Sequence, residues 1–101
     1  MSTAATNKKV IAITGASSGI GKETAKQLVN NGFNVALLAR SKDKLRSMVE
    51  ELGNDNAFAV KADVSDFKDV DTAFEKVSKH FGRIDGIFAN AGRGAKAAGI
   101  E

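Results

Sequence analysis

The 101-residue sequence contains no cysteine, no tyrosine, no tryptophan and a single histidine, His80. Without cysteine, disulfides, thiolate catalysis and zinc fingers are excluded. One imidazole supplies too few ligands for a metal ion, and a position on a helix surface is the simpler expectation for it. The lack of Tyr and Trp removes the best side chains for stacking on nucleic-acid bases. Lys and Arg exceed Asp and Glu by 15 to 12, a formal net charge of +3, but the cations are spread along the chain beside acids. A solvated surface of mixed charge is therefore expected rather than a nucleic-acid interface. No apolar run approaches the roughly 20 residues that a membrane span needs. Residues 1–7, MSTAATN, lack the apolar core of a signal peptide, so a frayed terminus and a cytoplasmic address are expected.

What is present suits a single domain. Apolar residues make up 43% of the chain and charged residues 27%, an ordinary balance for a folded protein. A chain of this length buries roughly 60–70% of its unfolded surface. Lys9–Thr14 and Asn34–Ala39 hold nearly unbroken apolar runs, VIAI and VALL, as strands covered on both faces do. Asn56–Lys61 (NAFAVK) alternates more and suits an edge strand, and Ile84–Ala89 is a fourth candidate.

Helical patterns separate these runs. Ile20–Asn31 carries apolar residues at i+4 steps and stops at Asn31-Gly32. Ser41 is placed to cap a helix through Leu52, with Leu45, Met48, Val49 and Leu52 on one face and Gly53 after it. Phe67, Val70, Phe74, Val77 and Phe81 step by 3, 4, 3 and 4, which predicts a third helix with a core-facing stripe before Gly82. The order β-α-β-α-β-α-β with short connections predicts an α/β doubly wound parallel sheet. Residues 93–101 are small, glycine-rich and without a strand pattern, so a loop is expected there.

The segment Thr14–Gly21, TGASSGIG, falls where the first strand meets the first helix. A helix N-terminus leaves N–H groups unpaired and carries about half a positive charge, so it suits a phosphate. Gly15 permits a sharp exit from the strand, Gly19 lets the backbone approach a ligand, and Gly21 lets helix and sheet pack closely. Ser17 and Ser18 add hydroxyls. A strand-to-helix turn without a ligand is the alternative. The spacing is neither G-x-G-x-x-G nor that of a P-loop, which ends in Gly-Lys-Ser/Thr.

The pattern T-G-x-x-x-G-I-G resembles that of the short-chain dehydrogenase/reductase family, where it binds the pyrophosphate of a nicotinamide dinucleotide. Three more segments extend the resemblance from Lys8 to about Arg93. At the end of the second strand, where an acid accepts the 2′-OH of NAD, stands Ala39-Arg40-Ser41. Ala39 offers nothing to repel a 2′-phosphate, and Arg40 can pair with one through its guanidinium fork. Such a charged contact corresponds to roughly a ten- to hundredfold preference. The resemblance thus implies NADP(H) rather than NAD(H), with Ser41 assisting; an exposed helix-end cation is the other role open to Arg40. Asp63-Val64 resembles the family's adenine-binding pair; capping the third helix is the other role open to Asp63, one that Ser65 or Asp66 would fill equally well. Ala89-Asn90-Ala91-Gly92 resembles the family's N-N-A-G with Ala in the first place, which implies that Asn90 steadies the central strands and that Ala91 and Gly92 lie along the cofactor ribose. With Gly15, Ser17, Ser18, Gly19, Ile20, Gly21, Arg40, Ser41, Asp63 and Val64, these complete the expected cofactor site.

The resemblance implies a Rossmann-type sheet in the order 3-2-1-4 and hydride transfer between nicotinamide and a carbonyl or alcohol. In the family that reaction uses a Ser and a Tyr-x-x-x-Lys pair, and this sequence has no tyrosine. No catalytic and no metal-binding residue is assigned. The chain is expected to be the N-terminal, cofactor-binding part of such a reductase, inactive alone and with its fourth strand open for pairing or for assembly into a homo-oligomer. A non-catalytic nucleotide-binding or interaction module is the alternative. A phosphorelay receiver would need carboxylates at the end of the first strand, where Ile13-Thr14-Gly15-Ala16 stands.

Overall fold

A computed structural model describes residues 7–89. The expected terminus over residues 1–6, the loop over 93–101, and Asn90, Ala91 and Gly92 lie outside the described residues. The elements run β1 (Val10–Thr14), α1 (Gly19–Asn30), β2 (Asn34–Ala39), α2 (Lys42–Leu52), β3 (Ala57–Lys61), α3 (Phe67–Phe81) and β4 (Gly86–Ala89). All pairings are parallel and the strand order is β3-β2-β1-β4, as expected.

Period-two alternation persists inside the continuous apolar runs, because the two faces of the sheet meet different helices. Val10, Ala12, Ala36, Leu38 and Val60 pack with Ala73, Val77 and Phe81 of α3. Ile13, Val35, Leu37, Ala39 and Ala57 pack with Ala25 of α1 and with Leu45 and Met48 of α2. β2 is buried at all six positions, since it has a strand on each side and helices on both faces.

The helix ends are set by local chemistry. Ser18, Ser41 and Asp66 cap the three helices by accepting backbone N–H bonds from Gly21, Lys44 and both Lys68 and Asp69. Beyond the other ends, Gly32 and Gly82 take positive φ angles of 90° and 84° that other residues rarely adopt.

Two expectations need correction. Phe67 does not join the core stripe of α3: it is 91% exposed. As the first residue of the helix it stands ahead of the turns that cover the sheet, so the 3-4 periodicity continues there with nothing to bury it. The stripe instead includes Ala73, one turn before Val77. The fourth strand begins at Gly86 rather than Ile84, because Asp85 N–H already bonds to the Val10 carbonyl and Ile84 turns into the α3-side core. β4 forms one outer edge, with Ile87 55% exposed. Among the described residues no helix is long and apolar enough to cross a membrane.

Candidate functional site

The carboxyl ends of the strands bring the separated motifs together. β1 lies between β2 and β4, so the strand order reverses there; in open α/β sheets a crevice at that switch point receives ligands. Register sets Thr14 opposite Leu38, and Ala39 opposite Lys61. Ala16 N–H donates to the Leu38 carbonyl at 3.1 Å, and Ala62 N–H donates to the Ala39 carbonyl at 2.9 Å. The glycine turn, Arg40 and Asp63 therefore stand in a row along one edge of the sheet.

In the turn, Gly15 has φ 64°, which an L side chain rarely tolerates. Ser18 braces the turn: its N–H and its hydroxyl both donate to the Gly15 carbonyl, at 3.1 and 3.0 Å. The same hydroxyl oxygen accepts from Gly21 N–H at 3.2 Å. Ser18 thus spends its hydroxyl proton within the turn. Gly21 is there because space is short. A Cβ at that position would stand 2.6 Å from the Gly15 carbonyl oxygen and 2.9 Å from Ala16 Cα. Its close partner is the turn itself rather than the sheet. At Gly19 the opposite holds, and a Cβ would meet nothing within 4 Å.

Among the described residues, none accepts from Gly19 or Ile20 N–H, the donors that a helix start leaves over once Ser18 has served Gly21. Ile20 is 66% exposed at this helix start. Ser17 lines a cavity of about 300 Å³ between α1 and α2, with Lys22, Lys44 and Met48. Lys22 and Lys26 approach Glu51 at 3.9 and 3.8 Å.

Beyond β2, Arg40 and Asp63 share a cavity of about 400 Å³ with Lys61, Ala62 and Asp69. Asp66, not Asp63, caps α3. Asp63 instead folds its own loop: its Oδ1 accepts from Ser65 Oγ at 2.7 Å and from Ser65 N–H at 3.0 Å. These bonds hold the Asp63 carboxyl below its ordinary value, and the nearby Arg40 charge acts in the same direction. Ser41 Oγ accepts from Lys44 N–H at 3.4 Å as the cap of α2. Val64 is 49% exposed beside Asp63.

One residue missed in the sequence helps to build this edge, and a second braces the opposite, amino end of the sheet. Asp69 Oδ2 accepts from Asp63 N–H at 2.9 Å and so orients the Asp63-Val64 loop; its position one turn into α3 was the available signal. Asp85 ties β4 to β1, and its only sequence cue is Arg83 two residues before it. His80 lies outside the site, stacked on Phe58.

This set of backbone donors, a cation and a carboxylate along a switch-point edge suits a dinucleotide. Comparison with known proteins agrees. The family model described as short chain dehydrogenase matches residues 9–100. An uncharacterized oxidoreductase of Staphylococcus haemolyticus is 45% identical over 84 residues, which is 83% of this chain and 36% of the relative. Among solved structures, a variant of the actinorhodin polyketide ketoreductase with NADPH superposes with a TM-score of 0.81 at 33% identity, over 89% of this chain and 36% of the other. The 3-ketoacyl-(acyl-carrier-protein) reductase from Brucella melitensis, complexed with NADH, gives 0.75 at 40% identity, over 78% and 32%. The chain spans about a third of the length of these relatives.

Proposed function

The chain belongs to the short chain dehydrogenase family, and from that premise we propose that it provides the cofactor-binding part of an NADP(H)-dependent oxidoreductase acting on a carbonyl or alcohol. When bound, the nicotinamide supplies or accepts the hydride. The residues of this chain bind and orient the dinucleotide. Gly19 and Ile20 N–H groups, at the positive end of α1, take the pyrophosphate oxygens, with Ser17 beside them. Ser18 and Gly21 hold that turn in shape. Asp63, kept ionised by Ser65, accepts from the adenine amino group, and the Val64 backbone flanks it. Of the residues outside the described ones, Ala91 and Gly92 are assigned to the cofactor ribose and Asn90 to steadying the strands, as the resemblance of the motif implies. No catalytic residue is assigned among the 101, which include no tyrosine.

One observation supports the choice of NADP(H). After β2, where dinucleotide-binding folds carry an acid for the ribose 2′-OH, the chain has Ala39-Arg40, a guanidinium in place of that acid, lining the cavity with Asp63 and Asp69. Solved relatives hold either form of the cofactor, NADPH in one and NADH in another, so the preference rests on Arg40. Separate calorimetric titrations of NADP⁺ and NAD⁺ into the full chain test it. The expected result is about ten- to hundredfold tighter binding of NADP⁺, lost in Arg40→Ala with NAD⁺ binding unchanged. Equal affinities would overturn the preference.

A further inference from the structure

The dinucleotide reading leaves unused a groove of about 420 Å³ along the outer edge of β3. Leu45 and Val49 of α2 form its apolar upper wall. Phe58 and His80 form the lower one, their rings stacked 4.0 Å apart and 7° from parallel. The floor is the free edge of the strand.

Ladder bonds fix which backbone groups lie on that floor. Val35 N–H donates to the Asn56 carbonyl and Ala62 N–H donates to the Ala39 carbonyl, both at 2.9 Å. In a parallel ladder alternate residues serve one neighbour, so Asn56, Phe58, Val60 and Ala62 face β2. Ala57, Ala59 and Lys61 direct their amide and carbonyl groups outward, and these three residues line the groove. Ala57 N–H is occupied by the Gly53 carbonyl at 3.1 Å. That leaves the N–H groups of Ala59 and Lys61 and three carbonyls in a row. The methyl side chains of Ala57 and Ala59 leave room beside the strand.

Charge decides what fits. Lys42, Arg46 and Lys61 stand around the groove, and no carboxylate lines it. A second copy pairing through the same edge would bring like charges together, which opposes self-association. The geometry points to an addition site for an extended acidic polypeptide segment. Such a segment pairs with β3 through Ala59 and Lys61, sets alternate apolar side chains against Leu45 and Val49, and meets the three cations with its carboxylates. Main-chain bonds supply the pairing and the cations select the sequence. The site is separate from the glycine turn, and it meets the Arg40–Asp63 cavity only at Lys61, which lines both.

A blocked hexapeptide of alternating Glu and Val is the probe, titrated into the full chain with amide hydrogen exchange followed residue by residue. Saturable binding with slowed exchange at Ala59 and Lys61 is expected. Arg46→Glu, an exposed change with the fold checked by circular dichroism, weakens binding about tenfold or more. A Lys/Val hexapeptide of the same length does not bind. Nor does the Glu/Val peptide when its edge-facing nitrogens are methylated. No binding, no protection at Ala59 and Lys61, or equal binding of the methylated or the Lys/Val peptide each overturns the proposal.

Discussion

Val10 and Asp85 exchange two hydrogen bonds across the first rung of the sheet. Asp85 N–H donates to the Val10 carbonyl at 2.8 Å, and Val10 N–H donates to Asp85 Oδ2 at 2.8 Å. Arg83 closes the arrangement, its Nε and Nη2 each 2.8 Å from a different oxygen of the same carboxylate. The pair fixes where β4 starts and how it registers on β1.

Arg83, then Val10 N–H, hold the Asp85 carboxyl below its ordinary value. A depressed carboxylate contributes stability that is complete above its unfolded value and is lost as pH falls through the folded one. Asp85→Asn keeps the shape and removes the charge. It lowers the thermal midpoint by a few degrees at neutral pH, and the difference from wild type shrinks as the pH falls below the carboxylate range. Thermal melts of both proteins from neutral to acid pH measure this; a gap that stays constant with pH contradicts it.

The two glycines at the start of α1 separate packing from binding. Gly21→Ala forces a Cβ against the Gly15 carbonyl and destabilises by about 1–3 kcal/mol. Gly19→Ala enters open space and leaves stability within about 0.5 kcal/mol, yet it weakens dinucleotide binding at the proposed site. Urea unfolding and cofactor titration of both variants give the comparison. Comparable stability losses at the two positions would contradict it.

Ser18→Ala removes the cap of α1 and both of its side-chain bonds. The expected loss is about 1 kcal/mol, within a range of about 0.5–2, read from the urea midpoint. Ser17→Ala, beside it in the same turn, leaves that midpoint in place.

On the proposed site, Asp63 acts as an anion. Asp63→Ala weakens the dinucleotide about tenfold or more. Because Ser65 depresses its carboxyl, affinity for NAD⁺, which lacks the 2′-phosphate that itself titrates at about pH 6, holds from neutral pH down through the ordinary carboxylate range and falls only in stronger acid. Titrations at successive pH values check both statements. A fall in NAD⁺ affinity within the ordinary carboxylate range would contradict the role given to Ser65.

What the sequence displayed was mostly local. β2 and α2 match their expected bounds because the signals lie in adjacent residues: VALL, the Ser41 cap, and Gly53 after Leu52. Phe67 misled because periodicity reports which face a residue shares, not whether anything covers that face at the helix end. Asp63 illustrates the same limit. Asp63, Ser65 and Asp66 are near-equivalent cap candidates on paper, and only the path of the chain gives the cap to Asp66 and the loop to Asp63. Asp69 lies six residues from the N–H it accepts and Asp85 lies 75 from Val10, separations at which no spacing rule applies. The glycine turn was the most legible part, since a positive φ at Gly15 and a close approach at Gly21 each require the residue type present.

The 75 residues between Val10 and Asp85 also set an order of events for the growing chain. β1 is made first, yet one of its two flanking strands is the last to be synthesised among those described. At about 5–20 residues per second, translation separates the two partners by roughly 4–15 s. Until then β1 is half-zipped, with β2 on one side and an apolar edge on the other. Contacts this distant in sequence also slow refolding. Among the described strands, the β1–β4 pairing at the switch point that gathers the cofactor-facing loops is therefore the last to form, and it is a stretch where a chaperone has much to protect.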